Sequence, residues 1–338
     1  METKKFDYSL PKELIAQTPA SPRDSSRLLV LDRKKKRVGD DVFKNIINYL
    51  SPGDVLVLND TRVIPARLPA RRASGGKAEI FLLKKLEGAR WEALVKPGAK
   101  LPPGEKVIIR EDINVKILEK TVDGHRIIEF LSPCTGELAL REFGQVPLPP
   151  YIKKPISDPD RYQTIYAEKN GSVAAPTAAL HFTSTLLEQI ENKGIIILYL
   201  TLHMGLGSFQ PIREETVEDH KIPPEYYSIP EITARKVNQA KKDGKKIIAC
   251  GTDVVRALET GAKNERLRSG CGNTSLFIIN NYKFKIVDTL ITNLHLPRSS
   301  HLVLVSAFAG RDFVLRAYQY AVNKKFRFYT FGDATIVI

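Results

Sequence analysis

Two proline-rich brackets, Pro65 to Pro69 and the run PLPPYIKKP from Pro147 to Pro155, divide the sequence into stretches of different periodicity. Between them AEIFLLKK, RWEALVKP, EKVIIRE, NVKILEKT and HRIIEFL are short runs rich in Ile, Val and aromatics, punctuated by Gly88, Gly98, Gly104 and Gly124. Strands so closely spaced, without a helical period, predict a small antiparallel barrel or sandwich. Outside the brackets helical patterns alternate with strands: VFKNIINYL (42–50) has apolar residues at helical spacing, and DVLVLND (54–60) reads as a strand. The first 66 residues alone cannot bury a core. The expected architecture is therefore α/β: a discontinuous α/β domain of residues 1–66 and 151–338, with residues 67–150 inserted as a small antiparallel β-barrel domain.

Several strands of the outer domain end in polar clusters. IIILYLTL (195–202) is a continuous apolar run of the kind covered on both faces, and LHMGLGSF follows at once with His203, Gly205, Gly207 and Ser208. The amides of a glycine-rich turn can cradle an anion or a hydroxyl-rich group. Upstream, AAPTAALHFT carries Thr177 and His181. DVLVLND delivers Asn59, Asp60, Thr61 and Arg62, and KKIIACGTDVVRALE runs a strand through Gly251 and Thr252 into a helix opened by Asp253, whose carboxylate suits that position. Arg256 and Glu259 share a face of that helix, either as a surface pair or as substrate contacts. IVDTLITNLHLPRSS brings Asn293, His295 and Arg298 to a fourth such end. Ligands of open α/β sheets collect at the carboxyl ends of strands, so this repetition marks a site.

Lys and Arg number 52 against 38 Asp and Glu, a net charge of +14. An excess of this size suits a polyanionic partner, because neutralised phosphates release counterions; solvated helix faces and thermophile surfaces produce the same excess. No apolar run reaches the roughly 20 residues of a membrane span, and METKKFDYSL lacks the apolar stretch of a signal peptide, so no membrane association and a cytoplasmic location are expected. Cys134, Cys250 and Cys271 show no C-x-x-C spacing, and the six histidines lack motifs such as H-E-x-x-H. No metal is expected, and Cys250 reads as a core residue.

FDYSLPKELIAQ, PASPRDSSRLLVLD, LNDTRVIPARL, RYQTIYA, AAPTAALHFT, LHMGLGSFQP, GTDVVRALE, ITNLHLPRSSHLVLVSAFAG and FGDATIVI, in this order, closely resemble the S-adenosylmethionine:tRNA ribosyltransferase-isomerases of queuosine biosynthesis. The resemblance covers nearly the whole chain. It implies an α/β domain with an inserted β-barrel, and an enzyme that moves the ribosyl part of S-adenosylmethionine onto the aminomethyl arm of 7-aminomethyl-7-deazaguanine at the tRNA wobble position. Epoxyqueuosine is formed and adenine and methionine are lost; S-adenosylmethionine is then a substrate and no cofactor is needed. Many members read GTTSVR where this chain has GTDVVR (251–256), so a serine hydroxyl at position 254 is not essential here. Where family sequences often carry H-x-M-H-x-E, this chain has Pro223 in place of the second histidine, which argues against a metal or base there.

Such a reaction needs a base for the acidic methylene beside the sulfonium and a proton donor for departing adenine. His203 and His181 are the expected acid-base pair, with Asp60 as a competing base. Gly205, Gly207 and Ser208 are expected on ribose hydroxyls or the methionine carboxylate, Arg256 and Arg298 on carboxylate or phosphate, and Thr177 on a nucleobase; Asn59, Thr61, Arg62, Glu259 and His295 complete the expected substrate set. The tRNA is expected to lie over the distributed lysines of both domains, on a monomer. A methyltransferase using the same sulfonium lacks support, since no G-x-G-x-x-G follows a first strand. A non-enzymatic RNA-binding protein fits the charge and the barrel but not the clustered His, Asp and Arg.

Overall fold

A computed structural model describes residues 1–122, 124–131, 136–156, 158–205 and 211–338. The chain divides into two compact units, Met1–Arg62 with Pro149–Ile338, and Val63–Leu148.

The larger unit is built on a nine-stranded sheet. Its strands are β1 (Arg27–Asp32), β2 (Arg37–Val42), β3 (Val55–Asn59), β4 (Ile196–Leu202), β5 (Glu225–Ile229), β6 (Ile247–Cys250), β7 (Gly270–Thr274), β8 (Thr289–Asn293) and β9 (Ala334–Val337), in the spatial order β7-β5-β4-β3-β6-β8-β9-β1-β2. The middle four, β4, β3, β6 and β8, run parallel. Every residue of β3, β6 and β8 is buried, which explains the unbroken apolar runs VLVL in β3 and IIAC in β6. Alternation sorts the side chains: Val55, Val57, Ile247 and Ala249 face one core, while Leu56, Leu58, Ile248 and Cys250 face the other.

Helices cover both faces. The face toward Leu56 and Leu58 is closed by Leu186, Leu187 and Ile190 of helix α1 (Ser184–Asn192), together with Phe43 and Ile46 of the 3-10 helix Phe43–Tyr49. The Thr183 hydroxyl caps α1 by accepting from the Leu186 amide. The opposite face is closed by α2 (Glu231–Lys242), α3 (Thr252–Gly261), α4 (Ser300–Ala309) and α5 (Arg311–Asn323). Truncating a side chain such as Leu56, which is fully buried, to alanine would cost roughly 2–5 kcal/mol. One strand departs from expectation: Tyr199 in β4 is exposed and Ile196 and Ile197 are half-buried. Pairing of β4 with β5 involves Thr201 and Leu202, at its carboxyl end, so the start of β4 is less enclosed than its apolar run predicts.

The smaller unit is a closed six-stranded antiparallel barrel, in ring order Arg126–Phe130, Arg90–Lys96, Lys77–Lys85, Arg67–Arg72, Lys106–Ile108 and Asn114–Lys120. Leu68, Ile80, Leu82, Ala93, Val107, Val115 and Ile128 fill its core. This segment also contains a helix, Gly136–Phe143, where the sequence pattern suggests only strands; Ala139 and Leu140 bury its apolar stripe in the same core.

Candidate active site

Because β4, β3, β6 and β8 are parallel, the segments leaving their carboxyl ends emerge along one edge of the sheet. From β3 the chain reaches β4 on one side and later β6 on the other, which makes the end of β3 a topological switch point. Asn59 occupies it. Its Nδ2 donates to the Leu202 carbonyl at 2.9 Å and to Asp253 Oδ2 at 2.6 Å, while its Oδ1 accepts from the amides of Leu202 at 3.0 Å and Thr61 at 3.1 Å. Both amide protons and both lone pairs are used, so Asn59 positions its neighbours and has no atom left for the substrate contact expected of it.

Thr61 lies one step beyond, with Oγ1 2.7 Å from Nδ1 of His203. The His203 ring stacks on Tyr226, centroids 5.5 Å apart, and partial burial lowers its pKa. On the neighbouring strand Lys169–Ser172, Gly171 is pressed against this imidazole: a Cβ there would stand 2.6 Å from Nε2. Asp60 points into the structure, with Oδ1 accepting from the Thr201 hydroxyl at 2.6 Å and burial raising its pKa. Its carbonyl holds the amides of Glu168 and Lys169. Arg62 is exposed and donates to the Ala167 carbonyl at 3.3 Å.

A cleft opens beside this cluster, lined by Ala174, Ala175, Thr177, Met204, Asp253, Thr292, Asn293 and His295, and closed by Tyr151, His301, Tyr329 and Thr330. Thr177 donates to Asn293 Oδ1 at 3.1 Å. His295 Nε2 lies 2.8 Å from the Thr292 hydroxyl, and its ring stacks on His301 at 5.2 Å. Burial holds His295 well below the ordinary imidazole range and pushes His301 down to about 4, so both rings are neutral at physiological pH. Nδ1 of His301 is buried without a partner among the described residues. Asp253, fully enclosed at the start of α3, is pushed up to about 6 by burial, although the Asn59 hydrogen bond opposes the shift. The sequence marks Asp253 only as a helix-opening carboxylate, and His301, Tyr151 and Tyr329 are absent from the expected set. Position at a strand end was the signal available for Asp253; nothing local marks Tyr151 or Tyr329.

Several expected site residues are engaged elsewhere. His181 is not paired with His203: its Nδ1 meets the Ser26 hydroxyl at 2.7 Å, its Nε2 meets Asn293 Nδ2 at 3.3 Å, and burial pushes it down to about 3. Both nitrogens are taken, which removes it from proton transfer. Arg256 pairs with Glu225, not Glu259, in a buried ion pair. Glu259 accepts from the amides of Lys285 at 2.9 Å, Ile286 at 3.0 Å and Val287 at 3.1 Å and from the Tyr282 hydroxyl at 3.2 Å, so it pins the turn before β8. The Gly205 amide donates to Glu225 Oε1 at 2.7 Å, which removes that amide from any anion cradle. Arg298 is exposed, adopts φ +55° and ion-pairs with Asp7. Gly207 and Ser208 lie outside the described residues. Among the described residues no group of His, Cys, Asp and Glu is arranged to hold a metal ion, and no helix is long and apolar enough to cross a membrane.

Residues 3–337 match the family described as queuosine biosynthesis protein. Among curated relatives, the S-adenosylmethionine:tRNA ribosyltransferase-isomerase of Halothermothrix orenii is 50% identical over 341 residues, and that of Thermotoga maritima is 48% identical over 338, each alignment covering 100% of both chains. The crystal structure of S-adenosylmethionine tRNA ribosyltransferase from Thermotoga maritima superposes with a TM-score of 0.58 at 40% identity, covering 99% of this chain and 100% of that one. Matched from end to end at this level of identity, the chain belongs to the queuosine biosynthesis protein family.

Proposed function

We propose that the chain is an S-adenosylmethionine:tRNA ribosyltransferase-isomerase, which transfers and isomerises the ribosyl moiety of S-adenosylmethionine onto 7-aminomethyl-7-deazaguanine at the tRNA wobble position. Epoxyqueuosine-tRNA forms, and adenine and methionine leave. The observation that carries this reading is the end-to-end likeness to relatives of that name, and the polar cluster at the β3 switch point supports it. S-adenosylmethionine is a substrate, no cofactor is required, and the enzyme works as a cytoplasmic monomer.

His203 is the favoured base for the methylene proton beside the sulfonium. Its ring is half-buried, oriented by Thr61, and keeps its pKa below the ordinary imidazole value, so it is neutral and able to accept a proton at pH 7. Asp253 and Asp60 are the competing carboxylates, both raised toward the working range by burial. The neutral His301 lines the same cleft and is available to adenine without adding charge. Thr177 offers a hydroxyl on the same cleft.

The test follows S-adenosylmethionine, incubated with the protein and a tRNA bearing the aminomethyl-deazaguanine precursor, by mass spectrometry. Adenine and methionine released only with that tRNA, with a heavier wobble nucleoside, support ribosyl transfer. S-adenosylhomocysteine would instead establish a methyltransferase.

A further inference from the structure

A second, smaller cleft adjoins the first, and Thr330 lines both. Two arginines form its charged wall: Arg23, in the 3-10 turn Arg23–Ser25, and Arg161, in the 3-10 helix Pro159–Tyr162. Neither has an ion-pair partner within 4 Å among the described residues. Arg23 instead donates from Nη1 to the Leu180 carbonyl at 3.2 Å and from Nη2 to the Asp160 carbonyl at 2.9 Å. Arg161 donates from Nη2 to the Ala20 carbonyl, and its Nε is buried with no partner among the described residues. Backbone carbonyls thus fix the direction of both guanidiniums without neutralising them.

The surroundings carry charge of both signs. Arg23 is half-buried, and burial together with the neighbouring Arg161 lowers its pKa; Asp158 and Asp160 oppose this from a distance. The Asp158 carboxylate is occupied in capping the Asp160 amide at 3.0 Å. Arg327 adds a further positive charge that acts on His181, though it is paired with Asp333. His181 forms the floor as a neutral ring whose Nε2 is held by Asn293, a residue of the main cleft. A partly desolvated guanidinium beside a second positive charge is costly unless an anion completes the pair. A guanidinium with its remaining N–H groups directed into a cleft matches planar oxyanions bidentately.

We propose that Arg23 and Arg161 form an oxyanion subsite adjoining the main cleft, which holds a carboxylate or phosphate of a ligand whose remainder occupies that cleft. The sources rest on the function proposed above: the methionyl carboxylate of S-adenosylmethionine, or a backbone phosphate of the tRNA beside the wobble nucleotide. The subsite itself rests on the two side chains and their shared cleft.

The experiment measures equilibrium binding to the full-length protein and its Arg23→Gln and Arg161→Gln variants, with Arg23→Lys and Arg161→Lys as charge-retaining companions should the glutamine forms fail to fold. In one arm the probe is S-adenosylmethionine, alongside its decarboxylated analogue. In the other it is the substrate tRNA over a range of salt concentrations. A loss of at least about tenfold for S-adenosylmethionine, with the decarboxylated analogue binding all variants alike, supports the subsite and assigns it to the carboxylate. A weakened tRNA affinity whose salt slope falls by about one phosphate contact per arginine supports it and assigns it to the phosphate. Folded variants that bind both probes as the wild type does overturn it. Failure of the proposed function is distinct, because it shows in the wild-type protein as an absence of adenine release while these binding measurements still read the subsite.

Discussion

Thr61 Oγ1 lies 2.7 Å from Nδ1 of His203 and 3.4 Å from the carbonyl of Lys169, to which its hydroxyl donates. With the hydroxyl proton directed at that carbonyl, the oxygen is left to accept from Nδ1–H. The lone pair of the imidazole then resides on Nε2, the tautomer a base requires. Thr61→Val removes the acceptor while keeping the shape, and is expected to lower turnover by about tenfold or more; His203→Ala is expected to cost at least about a hundredfold, the usual contribution of general acid-base catalysis. Thr61→Ser should remain active. Steady-state rates of adenine release decide it: a Thr61→Val enzyme as fast as wild type would mean that the hydroxyl does not orient the ring.

Gly171 tests the same ring from the other side. Its φ of +148° disfavours a side chain, and a Cβ would fall 2.6 Å from Nε2 and 2.7 Å from Cδ2 of His203. Gly171→Ala must therefore displace the imidazole from its present position. Turnover should fall nearly as far as in His203→Ala, while thermal unfolding reports a loss of about 1–3 kcal/mol. Full activity in Gly171→Ala would show that the ring position is unimportant.

The parts of the molecule that can be read from sequence are those fixed by local pattern. VLVL (55–58) and IIAC (247–250) are continuous apolar runs because helices cover both faces of the central strands, and the proline brackets mark a change from alternating helix and strand to closely spaced strands. The site was only partly legible because its chemistry depends on tertiary partners. His181 lies in a segment that suggests catalysis, yet Ser26 and Asn293, far away in sequence, occupy both its nitrogens. Glu259 and Arg256 have the spacing of a helical pair, but the amides of residues 285–287 claim the first and Glu225 the second. Asp253 has the sequence context of an ordinary helix-opening carboxylate because its burial against Asn59 arises only when β3 and β6 become neighbours.

Asp253 should make stability depend on pH. Its folded pKa, about 6, lies above the ordinary carboxylate value of 3.8. Between these values the unfolded chain is ionised while the native protein still binds the proton, so stability falls as pH rises from about 4 to about 6 and stays at the lower level above that. Linkage puts this loss on the order of 3 kcal/mol. In Asp253→Asn the decline should disappear from denaturant midpoints measured across that window. If the native form must ionise this group for catalysis, the acid limb of kcat/KM near pH 6 should disappear with it. An unchanged pH dependence of stability in the variant would refute the assignment.

Arg256 and Glu225 form a buried ion pair that ties α3 to β5. Arg256 also donates from Nε to the Leu276 carbonyl at 2.9 Å, and the other carboxylate oxygen of Glu225 holds the Gly205 amide at 2.7 Å. Removing the arginine takes the guanidinium from this buried carboxylate, which also holds the Gly205 amide. Arg256→Ala is expected to cost about 3–5 kcal/mol, read as a shifted denaturant midpoint with an unchanged slope, and Arg256→Lys less, since a point charge satisfies only part of the guanidinium geometry. A loss below about 1 kcal/mol, the range of exposed surface pairs, would show that Glu225 is solvated in solution and that the pair does not anchor the site.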